Sequence, residues 1–415
     1  MQFVKMVETE SFIRYIWVHS SSHCVAKLQL TIVGITQIGE KMMKQKKIQW
    51  SILVCLLLIV VLWFLPTGFE KAGAAYRDGG ERVPARVLSV DNSTVINTGL
   101  VHTGEQRCQV ELLSGSHKGQ VYTGENILTG SLESDKIYET GDKALVLASF
   151  ADEDRVSVSM IDHYRLDLEA LLLGIFFLFL ALFAGWTGVR AILSFVLSVL
   201  MIWKVLVPGC LRGVEPILIG GGVTALLTLM IIALVFGFDK RCLAAVSGAL
   251  AGLTLTCILG IVCTNTFRIQ GAVMSFSESL LYSGYGGLDL TKIFMASIFV
   301  GSSGAMMDLT VDIAAAVSEV VAKRPDLSRW EAAMSGIRVG RAAMGTMTTT
   351  LLLAYSGGYI ALLMVFMAQG TPLVNILNYK YVTSEIIHTL VGSFGLVLAA
   401  PLTALTSGFF LAKKR

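Results

Sequence analysis

Two carboxylates and the hydroxyl residues near them are the part of this chain whose types and spacing could do chemistry. Gly301-Ser302-Ser303-Gly304-Ala305-Met306-Met307-Asp308 interrupts an apolar segment, Ile293 to Val300, and Asp312 follows one helical turn after Asp308. Glu319 lies eleven positions beyond Asp308. On a helix the three carboxylates share one face, which Gly301 and Ala305 extend with small residues. A carboxylate inside hydrocarbon is expensive and turns to a partner or a wet cavity. Two readings of Asp308 stand side by side. In one, an acidic line leads from a narrow hydroxyl-lined opening to the cytoplasm. In the other, Asp308 sits at the membrane interface, and Asp312 and Glu319 are in water. Arg341 is the candidate partner, because a pair with Asp308 or Asp312 offsets the desolvation of both charges. Thr346, Thr348, Thr349 and Thr350 put four hydroxyls within five positions of an apolar stretch. They either line a polar path facing Ser302 and Ser303, or bond back to carbonyls of their own helix.

Other chemistries find no support in the residues. HExxH, GxSxG and GxGD patterns are absent, and no phosphate loop occurs, so an enzyme is not expected. The seven cysteines contain no CxxC pair and sit mostly in or beside apolar segments, where cysteine acts as a small hydrophobe. His102, His117 and His163 are scattered and read as surface or loop histidines. No metal, disulfide or cofactor is expected, and with no basic stripe the chain is not expected to bind nucleic acid.

The elements that must position these groups are membrane helices. Hydrophobic residues make up 54% of the chain and charged residues only 15%, with a mean hydropathy of +0.68, whereas soluble domains are nearer a quarter charged. Apolar runs of about 18 residues or more recur, the length that crosses a bilayer. Eight spans are expected: Ile48–Leu65, Leu168–Trp186, Ala191–Val207, Pro216–Phe236, Leu243–Cys263, Leu290–Leu309, Gly345–Met367 and Ser384–Leu411. The interruptions in the sixth and seventh liken them to the discontinuous helices of transporters, although no internal repeat is found. Residues 318–341 are expected as a cytoplasmic helical loop. Its helix Ser328 to Arg341 carries Trp330, Met334 and Ile337 on one face and suits a membrane surface or the flank of the bundle. The spacings Gly248/Gly252 and Gly336/Gly340 suit close helix contact.

Residues 1–42 read as an over-called reading frame or a disordered extension, with Met43 or Met42 as the start. Lys44, Lys46 and Lys47 then flank an anchor helix within residues 43–66. Ala72-Gly73-Ala74-Ala75 is a weak cleavage-site candidate. Residues 67–165 form the one sizeable polar block. It has five short β-branched runs, Val83–Val90, Gln106–Leu113, Gln120–Thr123, Ala144–Ala148 and Arg155–Met160, separated by turn residues. A small extracytoplasmic β-barrel, OB-like in strand number, is expected, followed by a bundle of about seven helices over 166–415. With the N-terminus inside, the inside segments hold Arg190, Lys240, Arg241, Lys323, Arg324, Arg329, Arg338, Arg341 and the three C-terminal charges. The short outside loops hold Arg212, Arg268, Lys292 and Lys380, with Lys204 near an outside end. This asymmetry puts both termini in the cytoplasm.

Three ordered motifs carry a family resemblance. They are Gly301 to Asp308, Gly340-Arg-Ala-Ala-Met-Gly-Thr-Met-Thr-Thr-Thr350 with Leu-Leu-Leu-Ala-Tyr355, and Leu390-Val-Gly-Ser-Phe-Gly-Leu-Val-Leu-Ala-Ala-Pro401. Over about residues 80 to 410 the chain resembles the YibE/F-like family of bacterial multi-pass membrane proteins. The family pattern has Asp after the Gly-Arg pair and Asn within the threonine run, where this chain has Ala342 and Thr349. The resemblance implies a plasma-membrane protein with a domain on the cell-wall side, and no activity. From the residues, the expected function is a permease or transport component for a small molecule or ion. The alternative is a membrane scaffold or sensor whose β-domain binds an envelope protein or a second copy.

Overall fold

The computed structural model describes residues 48–69, 80–152 and 155–413. The expectations for residues 1–42, for Lys44, Lys46 and Lys47, and for Ala72 to Ala75 lie outside the described residues. The chain divides into two compact units. One spans Leu65–Val189; the other joins Arg190–Arg415 to the segment ending at Phe64.

The first unit holds a five-stranded β-barrel: β1 (Glu81–Asp91), β2 (His102–Leu112), β3 (Val121–Thr129), β4 (Lys143–Asp152) and β5 (Arg155–His163). Alternation explains it. Val83, Ala85 and Val87 of β1 point inward with Cys108, Val110 and Leu112 of β2 and Ala144, Val146 and Ala148 of β4, while the residues between point out. Antiparallel ladders set Ala85 opposite Leu112, Cys108 opposite Gly124, Val83 opposite Val146, and Val146 opposite Met160. A short parallel ladder of β3 with β5, Gly124 opposite Val158, closes the ring β1-β2-β3-β5-β4-β1. Each expected strand lies in or overlaps an observed one, but β3 runs on to Thr129. Gly124, Glu125 and Asn126 are poor strand formers, and their pairing with β2 overrides that preference. Asn126 points into the barrel, where its amide donates to Gln106 Oε1 (3.1 Å) and to the Lys136 carbonyl (2.6 Å). Gln106 is buried as well. It donates to the Tyr138 carbonyl and accepts from the Tyr138 amide, pinning the 130–142 loop across the barrel end.

The longer helices are α1 (Ile48–Phe64), α2 (Leu166–Met201), α3 (Pro216–Phe236), α4 (Lys240–Thr266), α5 (Leu290–Lys323), α6 (Arg329–Ser356) and α7 (Lys380–Leu411). Among the described residues five helical stretches are long and apolar enough to cross a membrane: Leu166–Leu211, Pro216–Phe236, Lys240–Thr266, Arg329–Ala368 and Lys380–Leu411. The first contains Gly185 at φ 54°, ψ −130°, a break at the expected turn between the second and third spans. A positive φ is tolerated there because glycine has no Cβ.

Two sequence expectations are corrected. Gly301 to Asp308 does not interrupt a helix; it lies inside the continuous α5. Likewise, the expected surface helix from Ser328 is not separate from the seventh span. It is the start of α6, opened by a capping box in which Ser328 and Glu331 satisfy each other's main-chain amides. The helical loop of 318–341 therefore reduces to the end of α5, a short turn and the start of α6. Gly, Ser and Thr are weak helix formers in water, but helix interiors accept them when their hydroxyls bond back to the preceding turn.

In the second unit α7 packs against α4, α5 and α6. Small residues set the spacing. A Cβ on Gly248 would come 2.6 Å from Thr403 Cα, and one on Gly252 2.7 Å from Ala399 Cβ. On the other side, a Cβ on Gly336 would come 3.0 Å from Ala404 Cβ, and one on Gly340 3.1 Å from Ala400 Cβ. Both glycine pairs expected from their spacing to mark close helix contact do so, with α7 as the partner.

Candidate functional site on the open face of α5

Helix α5 has two faces. Ser302, Ser303, Met306, Leu309, Thr310 and Ile313 lie on the packed one; Gly301, Gly304, Asp308, Asp312 and Glu319 lie on the open one. The sequence-predicted residues therefore separate. Ser302 donates to the Ile298 carbonyl (2.9 Å) and Ser303 to the Val300 carbonyl (2.7 Å), one turn back in their own helix. Ser302 packs under α7, where a Cβ on Gly392 would come 3.0 Å from its Cβ. Neither serine shares the face of Asp308.

The threonines behave alike. Thr346 donates to the Ala343 carbonyl (3.0 Å), Thr348 to Met344 (2.9 Å), Thr349 to Gly345 (3.2 Å) and Thr350 to Thr346 (2.9 Å). Each hydroxyl serves its own helix, and among the described residues none bonds Ser302 or Ser303. The expected ion pair does not form either: among the described residues none joins Arg341 to Asp308 or Asp312. Arg341 is exposed, and both carboxylates lie on the open face, where hydration can replace a partner. Glu319 pairs with Lys323 at 3.3 Å in an exposed i,i+4 pair.

What the structure brings to the Gly301 end of this face was missed from the sequence. A Cβ on Gly301 would come 2.7 Å from the Tyr355 hydroxyl of α6 and 3.1 Å from His388 Nε2 of α7. Only hydrogen fits where these two polar atoms converge. The two rings lie 4.6 Å apart, and the edge of Phe294 closes one side. His388 turns one side of its ring to the Ser297 backbone, while its buried Nε2 has no hydrogen-bond partner among the described residues. Glu385, nearly one turn before His388, faces the Tyr359 hydroxyl. Both line a pocket of about 220 Å³ with Ser356 and Thr389. At 1.5 Å per residue, Asp308 stands about 10 Å and Asp312 about 16 Å along the helix from Gly301. A signal did exist: Glu385 and His388 three apart in an apolar span, and Tyr355 and Tyr359 four apart in the one before it. Ionisable residues in such segments mark function by default.

The arrangement can bind or relay protons; the pocket beside it is walled mostly by apolar side chains, among them Leu352, Leu362, Leu363, Ile386 and Leu390. Among the described residues no three His, Cys, Asp or Glu side chains are placed to hold a metal ion. No curated protein and no solved structure matches the chain. Residues 81–164, the barrel, match the YibE/F family N-terminal domain, and residues 172–413, with the whole of α5, match the YibE/F-like protein family. With both of its parts matched and more than half its length within the second match, the chain belongs to the YibE/F-like family.

Proposed function

We propose that this membrane protein is a permease, or the transport component of one, in the bacterial cytoplasmic membrane, and that the open face of α5 is its polar path. One observation carries the reading. Titratable groups stand at both ends of an otherwise small-residue helix face: His388 and Tyr355 over Gly301, and Asp308 and Asp312 two to three turns on. Carboxylates on such a face do not tolerate acyl chains, so the face lines a wet cavity. A proton exchanging among these groups can couple the movement of a small polar solute or ion. In this reading eight helices cross the bilayer: α1, the two halves of α2 on either side of Gly185, and α3 to α7. The basic residues at the Lys240, Lys323 and Arg329 ends put those ends and both termini in the cytoplasm. The barrel then lies outside, and its ring order β1-β2-β3-β5-β4-β1 supports reading it as OB-like. The reading assigns no catalytic step and no cofactor.

The alternative is a scaffold or sensor whose barrel holds an envelope protein or a second copy. Exposed Ile96, Leu100, Ile127 and Leu132 on the barrel favour it. Complementation of a deletion strain with a scored phenotype separates the two. Asp308→Asn and His388→Gln are expected to lose at least tenfold in complementation at normal membrane levels. Full complementation by both, with loss on deleting 80–160, would sink the transport reading in favour of the scaffold.

A further inference from the structure

At the end of the bundle where α5 stops and α6 begins lies a groove of about 670 Å³, bordered by Ser247 of α4, Arg329 and Trp330 of α6, and Leu405, Phe409 and Phe410 of α7. Its hydroxyls are already spent: Ser247 donates to the Leu243 carbonyl, and Thr406 to the Ala244 carbonyl. What remains is an apolar channel with one cation at its mouth. That cation is held in place, with the Arg329 guanidinium 4.5 Å from the centre of the Phe409 ring. Among the described residues its Nε is buried without a hydrogen-bond partner and no acidic side chain pairs with it. Its basic neighbours differ: Arg241 pairs with Asp239, Lys323 with Glu319 and Arg324 with Asp326. Gly408 brings α7 against this point, since a Cβ there would come 2.5 Å from the Arg329 carbonyl.

We propose that the groove seats one anionic phospholipid. Its phosphate accepts hydrogen bonds from the Arg329 guanidinium and the exposed Trp330 indole, and one acyl chain lies along Leu405 and Phe409. An unpaired guanidinium calls for an anion, and the apolar walls call for a tail, which a free phosphate lacks. The inference holds whether or not the bundle transports.

The test is native mass spectrometry of the full-length protein with dioleoylphosphatidylglycerol, the matching phosphatidylcholine, glycerol phosphate and inorganic phosphate. The expected result is a retained one-to-one phosphatidylglycerol adduct. Arg329→Gln should reduce that adduct at least fivefold, and Arg324→Gln, at the same end of the bundle, should leave it unchanged. Ser247→Trp fills the groove from α4 while leaving Arg329 itself in place and should also expel the lipid, so the test stands even where Arg329→Gln folds poorly. Equal retention in all variants would mean nonspecific annular lipid and overturn the proposal. So would equal binding of glycerol phosphate or inorganic phosphate, or a dimer that covers the groove and carries no lipid.

Discussion

Gln106 shows how much one interior side chain can hold. It bonds both main-chain polar groups of Tyr138 and receives the Asn126 amide, all within the buried end of the barrel. Gln106→Leu leaves the Tyr138 amide and carbonyl without these partners, at about 1–3 kcal/mol for each buried group left unsatisfied. The barrel's unfolding midpoint should fall by several degrees, read by thermal melts of the full-length protein. Asp135 makes a different prediction. Burial raises its carboxyl pKa, but hydrogen bonds from the Thr129 hydroxyl and the Gly130 and Ser131 amides outweigh this and leave it below the usual carboxylate value. A depressed folded-state pKa stabilises the fold above the unfolded value of about 3.9, and that contribution is lost as pH falls through the lower folded value. Asp135→Asn should therefore cost more stability at pH 6 than at pH 3, and equal losses at both would contradict the assignment. The same scale shows what the sequence hides. Spacing put Asp308, Asp312 and Glu319 on one face, and they are. That His388 and Tyr355 meet over Gly301 depends on three helices packing together, which no local pattern records.

Helix α7 is the element on which the bundle turns, and glycines make its contacts. At Gly248 a Cβ would meet the Thr403 hydroxyl and come 2.6 Å from the Thr403 Cα; at Gly340 it would come 3.1 Å from both the Ile313 Cδ1 and the Ala400 Cβ. Gly248→Ala should cost more than Gly340→Ala, about 1–3 kcal/mol against less, because the overlap at Gly248 reaches a main-chain Cα and forces the helices apart, whereas at Gly340 a few tenths of an ångström of adjustment relieves it. Melting of the two variants in one detergent orders them, and the reverse order would refute the argument. These glycine pairs were legible because four-residue spacing of small residues has a direct geometric meaning. The continuity of α5, and of α6 as far as Ser356, where a 3-10 turn over Gly357–Tyr359 does break the seventh span, was not. Gly-Ser-Ser-Gly and a threonine run resemble breaks in water, but inside a packed bundle the hydroxyls fold back onto their own carbonyls and the helix goes on. The barrel's strands were legible from alternation, whereas the extension of β3 needed its partner β2 to be seen.

For the whole molecule, a soluble-looking barrel and an apolar bundle are joined with almost no spacer. β5 ends at His163 and α2 begins at Leu166. The ring closes only when β5 pairs with both β3 and β4. Until then two strand edges are open, and open edges invite pairing with other chains. Synthesis runs at about 5–20 residues per second, so the last strand appears within moments of the first residues of an apolar helix. The barrel cannot finish folding and then wait; its closure and the arrival of α2 in lipid fall in the same short interval of the chain's birth. A nascent chain arrested just before Arg155 carries the hazard in full: four strands, two unpaired edges and no means of closing them.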